Sequence, residues 1–112
     1  SPAQRIEGGL FENACFLRLK ELNLPESIKF WRSTSGAEVD FVITSPNGEN
    51  IPIEVKMSMS PKKTKTMGKS LISFANHYQP KNIYFYTRNT ETHFNKRGST
   101  VFFIPYHKLP ML

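Results

Sequence analysis

The chain has 112 residues, 38% of them hydrophobic and 12% aromatic, which is enough for one packed core and inconsistent with a disordered chain. Cys15 is the only cysteine, which excludes an internal disulfide framework and a thiolate zinc cluster and fits a reducing compartment, the cytoplasm by default. Net charge is +6 and unevenly spread: residues 1 to 55 hold five Lys/Arg against eight Asp/Glu, and residues 56 to 112 hold ten against one.

Such a cationic half suits nucleic-acid phosphates or an acidic protein partner, and solubility alone would also account for it. No apolar run approaches the roughly 20 residues that cross a bilayer, and no charged leader with a cleavage site opens the chain. It begins Ser1-Pro2-Ala3 without an initiator methionine, as a piece of a longer polypeptide would. Residues 1 to 112 are expected to form one domain.

From about Gln4 to Leu22, Ile6, Leu10, Ala14 and Leu17 recur at helical spacing, and Phe11, Cys15, Leu19 and Leu22 form a second stripe. This predicts a helix with two apolar flanks, covered on more than one side. Asn23, Pro25 and Ser27 stop it. Ile28 to Arg32 and Ala37 to Thr44 are rich in β-formers and predict a hairpin around Ser33 to Gly36. Ser45-Pro46-Asn47-Gly48 is a second turn, after which Ile51, Ile53, Val55 and Met57 alternate with Pro52, Glu54, Lys56 and Ser58 in a third strand. Met67, Leu71, Phe74, Ala75 and Tyr78 predict a helix ending before Pro80. Ile83 to Thr87 and Thr100 to Ile104 read as strands, separated by a polar segment, Asn89 to Ser99, read as mobile or lining a groove. The element order is αβββαββ.

Glu54 and Lys56 share one face of the third strand. Glu38, Asp40 and Val42 are expected on one face of the preceding strand, with Val39, Phe41 and Ile43 on the other, so that Asp40 approaches Glu54 across the sheet. Two neighbouring carboxylates repel in water but are favourable around a hard divalent cation such as Mg²⁺ or Mn²⁺, which keeps positions for water or phosphate. With Lys56 beside them to orient a nucleophile or neutralise developing charge, the outline is that of phosphodiester hydrolysis. Glu12, at the edge of an apolar helix stripe, is expected to be partly buried, with the metal, its water or Lys56 as counter-group, or else a hydrogen bond to Asn13 or backbone.

Through Gly9-Leu10-Phe11-Glu12-Asn13, Phe30-Trp31-Arg32, Glu38-Val39-Asp40-Phe41, Ile53-Glu54-Val55-Lys56 and Phe103-Ile104-Pro105-Tyr106, nearly the whole chain resembles the C-terminal domain of unknown function attached to many bacterial and archaeal AAA-type ATPases. That family is similar in turn to the PD-(D/E)XK nucleases. The resemblance implies a restriction-endonuclease-like α/β fold, a central mixed sheet flanked by helices. It assigns Asp40 and Glu54 as metal ligands, Lys56 as catalytic lysine and Glu12 as auxiliary carboxylate. Val39 stands where the family name has proline. No Gly-rich Lys-Ser/Thr phosphate loop is present, so an ATPase would reside elsewhere in a longer, fused chain.

A Glu-x-Lys triplet alone arises by chance in on the order of a third of chains this long; its weight comes from Asp40 and Glu12. Glu38 has two readings, a further metal neighbour or, preferred, an ion pair with Arg32. Phe30 and Trp31 would stack on bases or, preferred, give one ring to the core and one to the rim. Lys62, Lys63, Lys65 and Lys69 would track a phosphate backbone, or form an ordinary solvated loop. The expected activity is metal-dependent DNA cleavage. The alternatives are a non-catalytic nucleic-acid or protein interaction domain directing the ATPase, and RNA or a modified nucleotide as substrate.

Overall fold

The computed structural model describes residues 2–22, 27–32, 36, 38–56 and 69–108. Its frame follows from strand alternation. On β4 (Asn82–Thr87) and β6 (Ser99–Pro105), Ile83, Phe85, Val101 and Phe103 pack on one face, and Tyr84, Tyr86 and Ile104 on the other. The two strands are parallel, with Tyr84 opposite Phe102 and Phe85 opposite Phe103. That register stacks rings on both faces, at centroid separations of 5.1 and 4.8 Å, the cross-strand pairing that stabilises a pleated sheet.

β3 (Asn50–Lys56) lies parallel to β4 on its other side, and α2 (Lys69–Tyr78) falls between them in the chain, as a parallel connection requires. β2 (Glu38–Thr44) returns antiparallel to β3 through the Ser45–Glu49 turn, where Gly48 supplies a φ of 85°. β1 (Ile28–Arg32) pairs antiparallel with β2, and β5 (Thr92–Lys96) antiparallel with β6. The result is a six-stranded mixed sheet in the order β1-β2-β3-β4-β6-β5. α1 (Pro2–Leu22) covers one face, seating Phe11, Cys15 and Leu19 on Phe41, Ile43, Ile51, Ile53 and Tyr86. α2 covers the other, with Leu71 and Phe74 on Val39, Val42, Ile83, Phe85, Val101 and Phe103. Among the described residues, no helix is long and apolar enough to cross a membrane.

Three expectations change. The polar segment 89–99 contains β5, whose side chains are mostly exposed. An edge strand with one solvated face needs little apolar content, and the positive φ of Arg97 (53°) and Gly98 (83°) forms the two-residue turn that returns it to β6. On α1 only one apolar stripe is covered, since Leu10 and Leu17 are 65% and 50% exposed. Finally, β1 and β2 slip register between Lys29 and Trp31, so that Asp40 and Phe41 stand opposite the single Phe30. This bulge breaks the alternation on β2. Val39 joins Val42 on the α2 face, while Phe41 and Ile43 remain on the α1 face.

Tyr86 is wholly buried and its hydroxyl has no hydrogen-bond partner among the described residues. An unsatisfied buried hydroxyl is costly, so Tyr86→Phe should raise the free energy of unfolding by about 1 kcal/mol in urea titration. A loss of that size would instead reveal a partner for the hydroxyl.

Candidate functional site

The β2–β3 ladder runs from Thr44 opposite Asn50 to Phe41 opposite Ile53 and stops there. Past that point β3 stays with β4, Glu54, Val55 and Lys56 standing opposite Phe85, Tyr86 and Thr87, while β2 stays with β1. The sheet forks. Two carboxylates cross the fork in place of backbone carbonyls: the Asp40 N–H donates to Glu54 Oε1 at 3.1 Å, and the Val55 N–H donates to Asp40 Oδ2 at 2.8 Å. The residues expected at the site are thus brought together by the backbone groups that the fork would otherwise leave unpaired.

Each carboxylate uses one oxygen in this exchange. The second oxygens, Asp40 Oδ1 and Glu54 Oε2, accept no hydrogen bond from the described residues. Burial, then Asp40, pushes the Glu54 carboxyl up to about 7, against the lowering influence of the Asp40 N–H and Lys56. Burial also raises Asp40, with Glu38 adding to it and the Val55 N–H and Lys56 opposing it. Glu12 is raised by burial and then by Asp40, yet its side chain is exposed. It therefore stands on the rim, with part of its hydration lost, in electrostatic reach of Asp40 and Glu54. Lys56, also exposed, is the cation whose charge acts on Asp40 and Glu54, and it forms no salt bridge with the described residues.

Two hollows flank the fork. One, about 180 Å³, is lined by Glu38, Glu54, Lys56, Lys69, Ser70, Leu71 and Phe85. The other, about 250 Å³, is lined by Glu12, Phe30, Trp31, Arg32, Glu38, Val39 and Asp40. Lys69 therefore shares a cavity with Glu54 and Lys56, whereas Lys62, Lys63 and Lys65 lie outside the described residues. Glu38 is ion-paired with Arg32, its partner across the β1–β2 ladder, as preferred above. Trp31 is half-buried, edge-on to Phe74 at 5.3 Å, and Phe30 is the rim ring. Two contributors went unnoticed in the sequence: the Val55 N–H, which carries no side-chain signal, and Ser70, whose Oγ accepts the Glu38 N–H at 3.2 Å.

Among the described residues, no three His, Cys, Asp or Glu side chains form a ready metal cage. The donor set fits a different kind of cation site. Asp40 and Glu54, both half-buried, each offer one oxygen that accepts no hydrogen bond from the described residues, and Mg²⁺ commonly takes one or two carboxylates and completes its octahedron with water and phosphate.

The family model described as Domain of unknown function (DUF4143) matches residues 7–109. No curated protein sequence is detectably similar. Among solved structures, the fold is similar to a chain of the Thermococcus gammatolerans tetradecameric assembly of McrB AAA+ hexamers with bound McrC, at a TM-score of 0.63 and 16% identity over 88% of this chain. The present chain spans 27% of that chain's length.

The raised Glu54 carboxyl makes stability pH-dependent. The folded state holds this proton more tightly than the unfolded chain, whose value is near the ordinary 4.5. The associated stability is therefore complete below that value and lost as pH rises through about 7. Between pH 5 and 8 the wild-type chain should lose about 2 kcal/mol that Glu54→Gln retains, measured as urea midpoints across pH. Parallel curves for the two proteins would refute the assignment.

Proposed function

The chain belongs to the DUF4143 family, a domain of unknown function, and from that premise we propose that it is a PD-(D/E)XK-type nuclease domain hydrolysing DNA phosphodiester bonds with Mg²⁺ or Mn²⁺. The observation that carries this reading is the carboxylate exchange at the β2–β3 fork, which sets Asp40 against Glu54 with Lys56 on the same strand as Glu54. A sheet does not need acidic side chains to close a ladder; here they close it and leave one oxygen each turned to other uses.

Asp40 and Glu54 would hold the cation, which when bound supplies charge neutralisation at the phosphate. Lys56, exposed beside them, hydrogen-bonds a non-bridging phosphate oxygen and offsets the charge that grows there during attack. Glu12, on the opposite rim, orients the attacking water and accepts its proton; its raised carboxyl makes it a better base than an ordinary glutamate. Water oxygen bonds to phosphorus as the bond to the leaving sugar oxygen breaks, and that oxygen takes a proton from solvent water. Lys69, lining the same hollow as Lys56, with Lys62, Lys63 and Lys65, contacts the flanking phosphates without reading sequence.

We take the chain as one domain of a longer protein fused to an AAA-type ATPase and working in the cytoplasm. The resemblance of the sequence supports the fusion, as does the likeness to a chain from an assembly that contains AAA+ hexamers.

The purified chain should cleave DNA in Mg²⁺ or Mn²⁺ and not in EDTA. Lys56→Ala should lower the rate at least a hundredfold with an unchanged circular dichroism spectrum. Equal cleavage by this variant would assign the activity to another site or a contaminant. Millimolar Mn²⁺ should also raise the melting temperature of the wild-type chain and leave the Asp40→Asn, Glu54→Gln double variant unmoved. If neither cleavage nor a metal-dependent shift occurs, the domain is a non-catalytic binding module.

A further inference from the structure

Phe30 is 71% exposed, the most exposed large apolar side chain among the described residues. It is also well supported. Its ring lies 6.0 Å from Phe16 and 5.7 Å from Phe41, which are themselves stacked at 5.5 Å and 10°. The β1–β2 bulge holds it in place, since Phe30 is the residue opposite Asp40 and Phe41. A rigid, outward ring on a backing of two others exposes apolar area without contributing a matching gain in core packing.

What surrounds the ring indicates what it would receive. A cavity of about 210 Å³ is lined by Gly9, Glu12, Asn13, Phe16, Phe30 and Phe41. It shares Glu12 and Phe30 with the cavity that contains Asp40. A Cβ on Gly9 would meet nothing within 4 Å, so this wall leaves room for a flat group. Asn13, on the same wall, carries a hydrogen-bond donor and an acceptor. Glu12 disfavours a phosphate here but not an uncharged ring. Lys20, with its ammonium 5.4 Å from the centre of the Phe16 ring, supplies positive charge next to the aromatic group. A planar, uncharged ring with polar edges, attached to an anionic backbone, is a nucleobase.

We propose that Phe30 is a stacking platform for one unpaired base of a DNA strand whose backbone passes the Asp40–Glu54 fork, making single-stranded or locally unpaired DNA the preferred substrate. This rests on the reading of the fork as a DNA-hydrolysing site and specifies its substrate class. A base inside a duplex has both faces covered by its neighbours and cannot reach the ring without leaving the stack, whereas a single strand offers every base.

The test is fluorescence anisotropy of the 112-residue chain, in Ca²⁺, with three probes of equal length: oligo(dT), an abasic strand and a fully paired duplex. Wild-type protein should bind oligo(dT) more tightly than the abasic strand. Phe30→Ala should weaken oligo(dT) binding about tenfold and leave the other two unchanged, and Phe30→Trp should retain the affinity. Phe30→Leu keeps apolar bulk but has no ring, and should fall with the alanine variant. The proposal is overturned if wild-type protein does not prefer oligo(dT) to the abasic strand, if Phe30→Ala loses equally on both, or if Phe30→Leu binds as wild type does. Cleavage in Mg²⁺, with Lys56→Ala as control, separates the two readings. Base-dependent binding that needs Phe30, without cleavage, keeps the platform and removes the hydrolase; cleavage indifferent to Phe30 and to strandedness does the reverse.

Discussion

The rest of the site depends on one constraint, that β2 cannot stay paired with β3 along its whole length. The bulge opposite Phe30 turns β2 toward β1, and the ladder with β3 ends at Phe41 and Ile53. Two strand N–H groups, those of Asp40 and Val55, then lose the carbonyl partners that a regular sheet would provide. An unpaired buried N–H costs on the order of 1–3 kcal/mol. The Asp40 and Glu54 side chains accept them instead, so the residues that repair the sheet are also the ones that concentrate negative charge at its split.

That repair has an electrostatic consequence. The charge of Asp40 acts on both Glu54 and Glu12, and Lys56 is the cation that opposes Asp40 and Glu54. Without further positive charge, protons are the cheapest neutralisation available. In the proposed nuclease, DNA alone would make the balance worse, because its phosphates add negative charge. A divalent cation would resolve both conflicts at once, so the physical argument for the proposed metal rests on the protein's charge balance and not on a finished cage. Lys69, in one hollow with Glu54 and Lys56, places a further positive charge on the α2 side.

Much of this was legible in the residues. The alternation of Ile51, Ile53 and Val55 with Glu54 and Lys56 placed the acidic and basic side chains on a common face, and a strand inside a sheet leaves little freedom to do otherwise. The turn at Ser45–Glu49 made β2 and β3 neighbours, because Pro, Asn and Gly at those positions favour no regular element. What could not be read was set by long-range geometry. A bulge depends on how β1 and β2 twist against each other, and Val39 and Phe41 look alike in a period-two pattern until that kink separates them. β5 was missed because Thr92, His93 and Asn95 are polar, as an edge strand over solvent can be. The stripe of α1 that carries Leu10 and Leu17 looked like a buried flank, yet both face outward; hydrophobicity marks a surface that can be covered without saying that this chain covers it.

The bulge at Phe30 bears on a hazard unrelated to chemistry. β1 is an outer strand of the sheet, and an outer strand offers a row of free N–H and C=O groups to any other extended chain. Five residues long, interrupted midway and carrying Lys29 and Arg32 at exposed positions, β1 is a poor template for such recruitment. The irregularity beside which the β2–β3 ladder ends therefore also makes this edge a poorer template for neighbouring copies, and straightening it would be expected to carry a cost in aggregation as well as in the geometry of Asp40.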